Sequence, residues 1–293
     1  MSILETSDEV PTLAWRVKAK AFAANNKLFV VGATGFLFIL LCAIFAPLIA
    51  PYAPDKIDFS ARLQGPSWAH WMGTEKFGRD ILSRVIYGAQ TSLIIGTAVT
   101  FIAILIGAPI GIIAGYFGGR LDTLLMRVSD VFLAFPPLLL PIAITAALGS
   151  GLGNAMFAIA VSWFPWYARI TRAAVLRIRT EPYINAARAM GVSHTRIMWR
   201  HVLPNSPTPI IVQGSMDFGF TILAAASLSF IGLGATPPMI EWGLMAATSR
   251  SMFLDAWWTV LFPGMAIFFT VLCVNLVGDG VRDVLDPKHG IKE

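Results

Sequence analysis

Apolar residues along this chain gather into six windows of bilayer length, separated by polar or turn-rich stretches. A helix rises 1.5 Å per residue, so about 20 apolar residues cross the roughly 30 Å hydrocarbon layer of a membrane. The windows run from Leu28 to Ala50, Thr91 to Tyr116, Val131 to Gly149, Leu152 to Ile170, Pro209 to Leu233 and Trp257 to Gly278. Only Gly149-Ser150-Gly151 divides the third from the fourth, and nineteen residues on either side favour a tight hairpin over one long kinked segment. The pattern predicts an all-α polytopic membrane protein with six transmembrane helices. Its parts are a tail over 1–27, a first span over 28–50, a loop over 51–90, a five-helix core over 91–278 that contains the loop 171–208, and a tail over 279–293.

Between the first two spans, PYAPD opens as irregular structure because Pro fixes φ and biases its predecessor towards extended conformations. Farther on, FGRDILSRVIYGAQTSL places Ile81, Leu82, Val85 and Ile86 on one helical face and Asp80, Ser83 and Arg84 elsewhere. That suits an amphipathic helix lying at the membrane surface, either as a lead-in to the second span or in contact with a substrate or partner. In the second span Gly107, Gly111 and Gly115 recur every four residues, a spacing that lets a neighbouring helix approach closely. Pro109, Pro136, Pro137, Pro141, Pro165 and Pro263 interrupt the spans and predict kinks, which serve a rocking transporter or static packing equally well.

Composition agrees with this picture, since 56% of the 293 residues are apolar and 13% are charged. The net charge of +5 is set by topology. With the N-terminus inside, sixteen of the 22 Lys and Arg fall on the inner side: Arg16, Lys18, Lys20 and Lys27, then Arg120 and Arg127, seven Arg from Arg169 to Arg200, and Arg282, Lys288 and Lys292. Positive residues are retained on the cytoplasmic side, so both termini are expected there, and the charge is no nucleic-acid site. The first apolar window is longer than a signal-peptide core and follows a 27-residue polar tail, which predicts an uncleaved signal-anchor. Cys42 and Cys273 lie inside predicted spans and form neither a secreted disulfide framework nor a metal pair.

Candidate chemistry is sparse. Asp217 is the only acidic residue well within a predicted span, and Gln213 lies one turn before it on the same face. Such a carboxylate fits either a polar translocation path or a hydrogen-bonded clamp between helices. The four His residues form no H-E-x-x-H pair and join no zinc cluster, and G-x-S-x-G is absent. No Gly-Lys dipeptide exists, so the chain lacks the phosphate-cradling loop of an ATPase and is expected to bind no cofactor and to be no enzyme. Any ATP-driven step therefore needs separate nucleotide-binding chains.

The loop between spans four and five is where such chains would dock. Pro182 stands at a plausible first helical position after Glu181, a helix-favouring run includes Tyr183, Asn185, Ala186, Ala187, Arg188, Ala189 and Met190, and Gly191 suits a helix stop. Small Ala186 and Ala187 would admit a close partner, while Arg188 and Arg196 would pair with carboxylates across an interface. The alternative is a helix resting on lipid headgroups. The spacing Ala186-Ala187, Gly191, Leu203-Pro204 resembles the cytoplasmic coupling loop of ABC importer permeases, although Asn185 replaces the Glu that commonly leads that motif. The loss puts a charge-dependent contact at 185 in doubt, with Glu181 one turn earlier as a substitute.

Longer blocks narrow the resemblance. WMGTEKFGRDILSRVIYGAQTSL, LSFIGLGATPPMIEWGLM and LFPGMAIFFTVLCVNLVGDGVRDVLDP look like the dipeptide/oligopeptide/nickel subfamily, and specifically its second permease, with one span preceding a five-span core. This resemblance implies the ABC type I importer architecture and a permease subunit of an ATP-driven, binding-protein-dependent importer. It also implies a second homologous permease as heterodimer partner, two ATPase subunits that hold ATP and Mg, an extracytoplasmic solute-binding protein, and a bacterial or archaeal cytoplasmic membrane. Di- or oligopeptides are the expected cargo, with nickel complexes, glutathione-like peptides or glycosides as alternatives. Two other classes stay open: an ion-driven carrier or channel that uses Asp217, and a noncatalytic scaffold.

Overall fold

The computed structural model describes residues 26–285. The tail charges Arg16, Lys18, Lys20, Lys288 and Lys292 lie outside the described residues, as does most of each predicted tail. Within 26–285 the chain is helical apart from its loops, with one isolated bridge between Thr74 and Asp80. The first span is α1 (Lys27–Ile44), continued by the single turn α2 (Ala46–Ile49). The offset falls at Phe45, just ahead of Pro47, which has no N–H to extend the first helix.

The second span departs from expectation in length. Helix α3 (Ile81–Phe117) runs unbroken for 37 residues, about 55 Å at 1.5 Å per residue. The predicted surface helix and the second span are thus one element. Asp80 caps it, accepting hydrogen bonds from the Ser83 amide at 2.8 Å and the Ser83 hydroxyl at 2.7 Å. The polar face that looked solvent-exposed is buried, because the 51–80 loop folds over it. Arg84 donates to the Pro54 carbonyl at 3.0 Å, and Asp80, Ser83 and Arg84 are all buried. Gly118, at φ +68°, ends the helix.

Helix α4 (Gly119–Leu133) and α5 (Leu139–Leu148) together form the third crossing. The predicted span from Val131, expected to kink at its prolines, is broken outright over Ala134–Leu138, where Pro136 and Pro137 remove two consecutive N–H donors. After the Gly149–Gly151 turn, α6 (Leu152–Ile178) returns and runs eight residues past the predicted end at Ile170. Helices α9 (Pro207–Phe230) and α11 (Trp258–Leu285) complete the bundle. Among the described residues four helices, α1, α3, α9 and α11, are each long and apolar enough to cross a membrane, and α5 is a shorter apolar helix between them.

Small residues set the packing. A Cβ on Gly107 would run into the Phe164 carbonyl of α6, one on Gly111 into the Ala168 carbonyl, and one on Gly115 would lie 2.9 Å from the Val175 Cβ. The four-residue glycine repeat is therefore the seam between α3 and α6. Around it Ile95, Val99, Ile159, Trp163, Tyr167, Ile210 and Leu228 form the central core of α3, α6 and α9. A further helix, α10 (Trp242–Ser249), was not expected from periodicity. Buried Glu241 caps it through the Gly243 and Leu244 amides at 2.7 and 2.8 Å, and Trp242 donates to the Val85 carbonyl of α3 at 2.9 Å.

A candidate docking surface

Beyond Ile178 the chain turns through Thr180 into α7 (Pro182–Ala189), with Pro182 in the first turn, where its missing N–H costs nothing. Gly191 follows at φ +75°, and the Val192 amide donates back to the Ala187 carbonyl at 3.1 Å, closing the helix. The predicted start and stop coincide with the structure. A short α8 (His194–Ile197) runs on through a wide turn over Met198–Val202 to a tight turn at Leu203–Asn205, from which α9 departs.

This loop has a core of its own. Ile184 and Ala187 face inward, and with Ile197 and Val202 they pack against Ile112 and Tyr116 of α3 and Val175 of α6. Leu203 is half-buried at the edge of the same cluster. Polar ties reinforce it: Arg179 donates to the Gly115 carbonyl at 2.9 Å, the Tyr116 hydroxyl lies 2.8 Å from His194 Nδ1, and the Arg188 guanidinium stands 5.1 Å over the Tyr116 ring. Two ion pairs hold α4 to α6 at this end, Arg172 to Asp122 at 2.5 Å and Arg169 to Asp130 at 2.5 Å. Helix α7 is thereby packed onto α3 and α6 through apolar and polar side-chain contacts.

Facing outward from the loop are Glu181, Tyr183, Asn185, Ala186, Arg188, Met190, Arg196, Trp199, Arg200 and Pro204, with Met190 76% and Trp199 63% exposed. Of the adjacent alanines, only Ala186 is open to a partner; Ala187 is 5% exposed, because a one-residue step on a helix turns the side chain by about 100°. Asn185 donates weakly to the Thr180 carbonyl at 3.5 Å and lines, with Arg179, Arg188 and His194, an open cleft of about 520 Å³. Sequence reasoning missed the buried partners Ile184, Ile197 and Val202, whose one signal is their apolar character in a basic loop, and the exposed pair Met190 and Trp199.

The other predicted site lies elsewhere, in the middle of the bundle. Asp217 of α9 is buried and accepts a hydrogen bond from Gln213 at 2.9 Å. Tyr167 of α6 stands beside it, and the second Asp217 oxygen and the Tyr167 hydroxyl are both buried without a partner of hydrogen-bond geometry. The carboxylate therefore faces the α6–α9 packing of its own chain. Among the described residues no group of three His, Cys, Asp or Glu converges as a metal site.

Comparison with known proteins gives this architecture a family. Residues 107–290 match the family model described as binding-protein-dependent transport system inner membrane component, and residues 21–66 match the N-terminal TM domain of oligopeptide transport permease C. A dipeptide transport system permease protein, DppC, of Alkalihalophilus pseudofirmus is 48% identical over 94% of this chain and 90% of its own. A probable D,D-dipeptide transport system permease protein, DdpC, of Escherichia coli is 45% identical over 96% and 92%. The glutathione transport system permease protein GsiD of Pectobacterium atrosepticum is 45% identical over 94% and 91%. Among solved structures, the inward-facing MetNI methionine ABC transporter shares the fold at a TM-score of 0.56 and 20% identity, over 69% of this chain and 96% of that one. With the family model spanning well over half of its length, the chain belongs to the inner membrane permease components of binding-protein-dependent transport systems.

Proposed function

We propose that this chain is the second permease of a heterodimeric importer of di- or oligopeptides in a bacterial or archaeal cytoplasmic membrane, with both termini in the cytoplasm. One observation carries the mechanical part: α7 presents Tyr183 and Ala186 outward, with Met190 just past its end, while Ile184 and Ala187 on its other side are packed into α3 and α6. A soluble subunit seated on the outer face moves the spans through the inner one. Two ATPase subunits, holding ATP and Mg, dock there and on the partner permease, and an extracytoplasmic binding protein delivers the solute. The two end states exchange only because nucleotide and loaded binding protein favour one of them. The dipeptide and glutathione permeases among its relatives support a peptide-like cargo.

In this reading Gln213 and Asp217 of α9, beside Tyr167 of α6, belong to one wall of the path. Affinity purification of the tagged chain from its own membrane, with identification of the bound subunits, tests the assembly. Recovery of a second permease and two ATPases is expected; recovery of the chain alone, active in ion-driven transport, overturns the proposal.

A further inference from the structure

The break in the third crossing lies at a depth where irregular backbone is hard to place. It packs beside Ser162, Trp163 and Trp166 of α6, which with Phe132, Leu133 and Pro136 line a hollow of about 100 Å³. Those α6 residues stand 10 to 14 positions below the helix start at Leu152. That is about 15–21 Å along the helix, close to the middle of a roughly 30 Å hydrocarbon layer.

Proline chemistry leaves acceptors there without helical donors. The Leu133 carbonyl would be served by the amides of residues 136 and 137, and both are proline. The Pro137 carbonyl loses its usual donor to Pro141, and the Leu139 amide is diverted to the Pro136 carbonyl at 3.0 Å. At the same level in α6, buried Pro165 deprives the Val161 carbonyl of its fourth-neighbour donor. Yet every residue from Ala134 to Leu139 is exposed on the surface of the chain, with Phe135 at 50% and Leu139 at 55%.

Hydrocarbon supplies no donors, so non-helical backbone at this depth persists only where protein covers it or water reaches it. A neighbouring transmembrane helix meets such carbonyls only through side-chain donors, because its own amides are spent within its turns. Water and a solute carrying ammonium or amide N–H groups do supply donors. We infer that the break between α4 and α5 lines the water-filled translocation path and offers backbone carbonyls, those of Leu133 and Pro137 among them, to the N–H donors of a passing solute. The inference rests on the peptide-importer reading and adds to it the segment that meets the cargo.

Backbone acceptors are indifferent to side-chain identity, so a path of this kind admits peptides of varied sequence.

The test places single cysteines at Ala134, Phe135 and Leu138 in a chain carrying Cys42→Ala and Cys273→Ala, in membrane vesicles of the source cell with all partner subunits present. The probe is the water-soluble trimethylammonium-ethyl methanethiosulfonate, applied with and without ATP. Phe101→Cys and Phe268→Cys, on outward faces of α3 and α11 at 62% and 59% exposure, serve as lipid-facing controls. A thiol in apolar surroundings stays protonated and unreactive, so the break positions should label at least about tenfold faster than the controls in one nucleotide state or the other. Saturating dialanine should slow that labelling.

Labelling as slow as the controls in every state overturns the inference, and in vesicles that take up dialanine, fast labelling that it leaves unchanged assigns the water to a space the solute does not enter and overturns it too. Uptake of radiolabelled dialanine by the same vesicles separates the two readings. Absent uptake with fast labelling removes the peptide cargo while the water-lined break stands; normal uptake with slow labelling removes the break alone.

Discussion

At the scale of single residues, the adjacent alanines of α7 divide the docking surface from its support. Ala186 is open and Ala187 is packed against α3 and α6, so bulk added at the two positions should act differently. Ala187→Leu overpacks the cluster and should lower stability by about 1–3 kcal/mol, read as a fall in the thermal midpoint of the permease purified free of ATPases. Ala186→Trp should leave the midpoint unchanged and release the ATPases during purification. The same thermal loss at both positions would contradict the assigned faces. Gly191 adds a conformational case: nothing lies within 4 Å of a Cβ built there, so Gly191→Ala pays only for φ +75°, about 1–2 kcal/mol. Its expected readout is ATP hydrolysis less tightly tied to uptake, with Gly191→Asn milder because Asn tolerates that conformation. Asp217→Asn should leave uptake dependent on ATP; uptake that persists without the ATPases and loses ion coupling in this variant would restore the ion-driven carrier.

At the scale of elements, local signals were readable and non-local ones were not. Pro182 and Gly191 delimit α7 because helix start and stop are matters of missing donors and allowed φ, both local to the chain. The glycine repeat announced a close seam, and Gly111→Val should abolish it, since even a Cβ there meets the Ala168 carbonyl. That variant is expected to be degraded or to fail to retain partners, as judged by its level in membranes. The unbroken length of α3 escaped prediction because Asp80 and Arg84 read as a solvent face, and only the 51–80 loop, folded back over them, makes them interior. Helix α10 escaped because eight residues carry too little periodicity, and its cap and Trp242 anchor are tertiary. The prolines of the third crossing predicted a bend; what they produce is a five-residue gap in the helix. Replacing Pro136 and Pro137 with Ala restores two donors and should straighten the gap. Uptake is expected to fall while the complex still assembles, which uptake assays beside subunit recovery would register.

At the scale of the whole molecule, the six crossings were visible as apolar windows, and the coupling loop was visible as a motif. The acceptor role inferred for the break between α4 and α5 was not, because a backbone carbonyl is marked by no residue type and Pro136 and Pro137 announce only a bend. What the chain does as a whole follows from a division of faces: exposed apolar surface on α1 and α11, a packed core of α3, α6 and α9, and an exposed platform at the α7 end. The central claim is that force applied to this platform by ATPases drives peptide import. Reconstitution into liposomes of this chain with its second permease, the ATPases and the binding protein, followed by uptake of a labelled dipeptide with ATP supplied on the α7 side, tests it most directly. Uptake that requires ATP and the binding protein, and that Ala186→Trp abolishes, is the predicted result. Uptake that proceeds without the ATPases, or that survives Ala186→Trp at full rate, would contradict it.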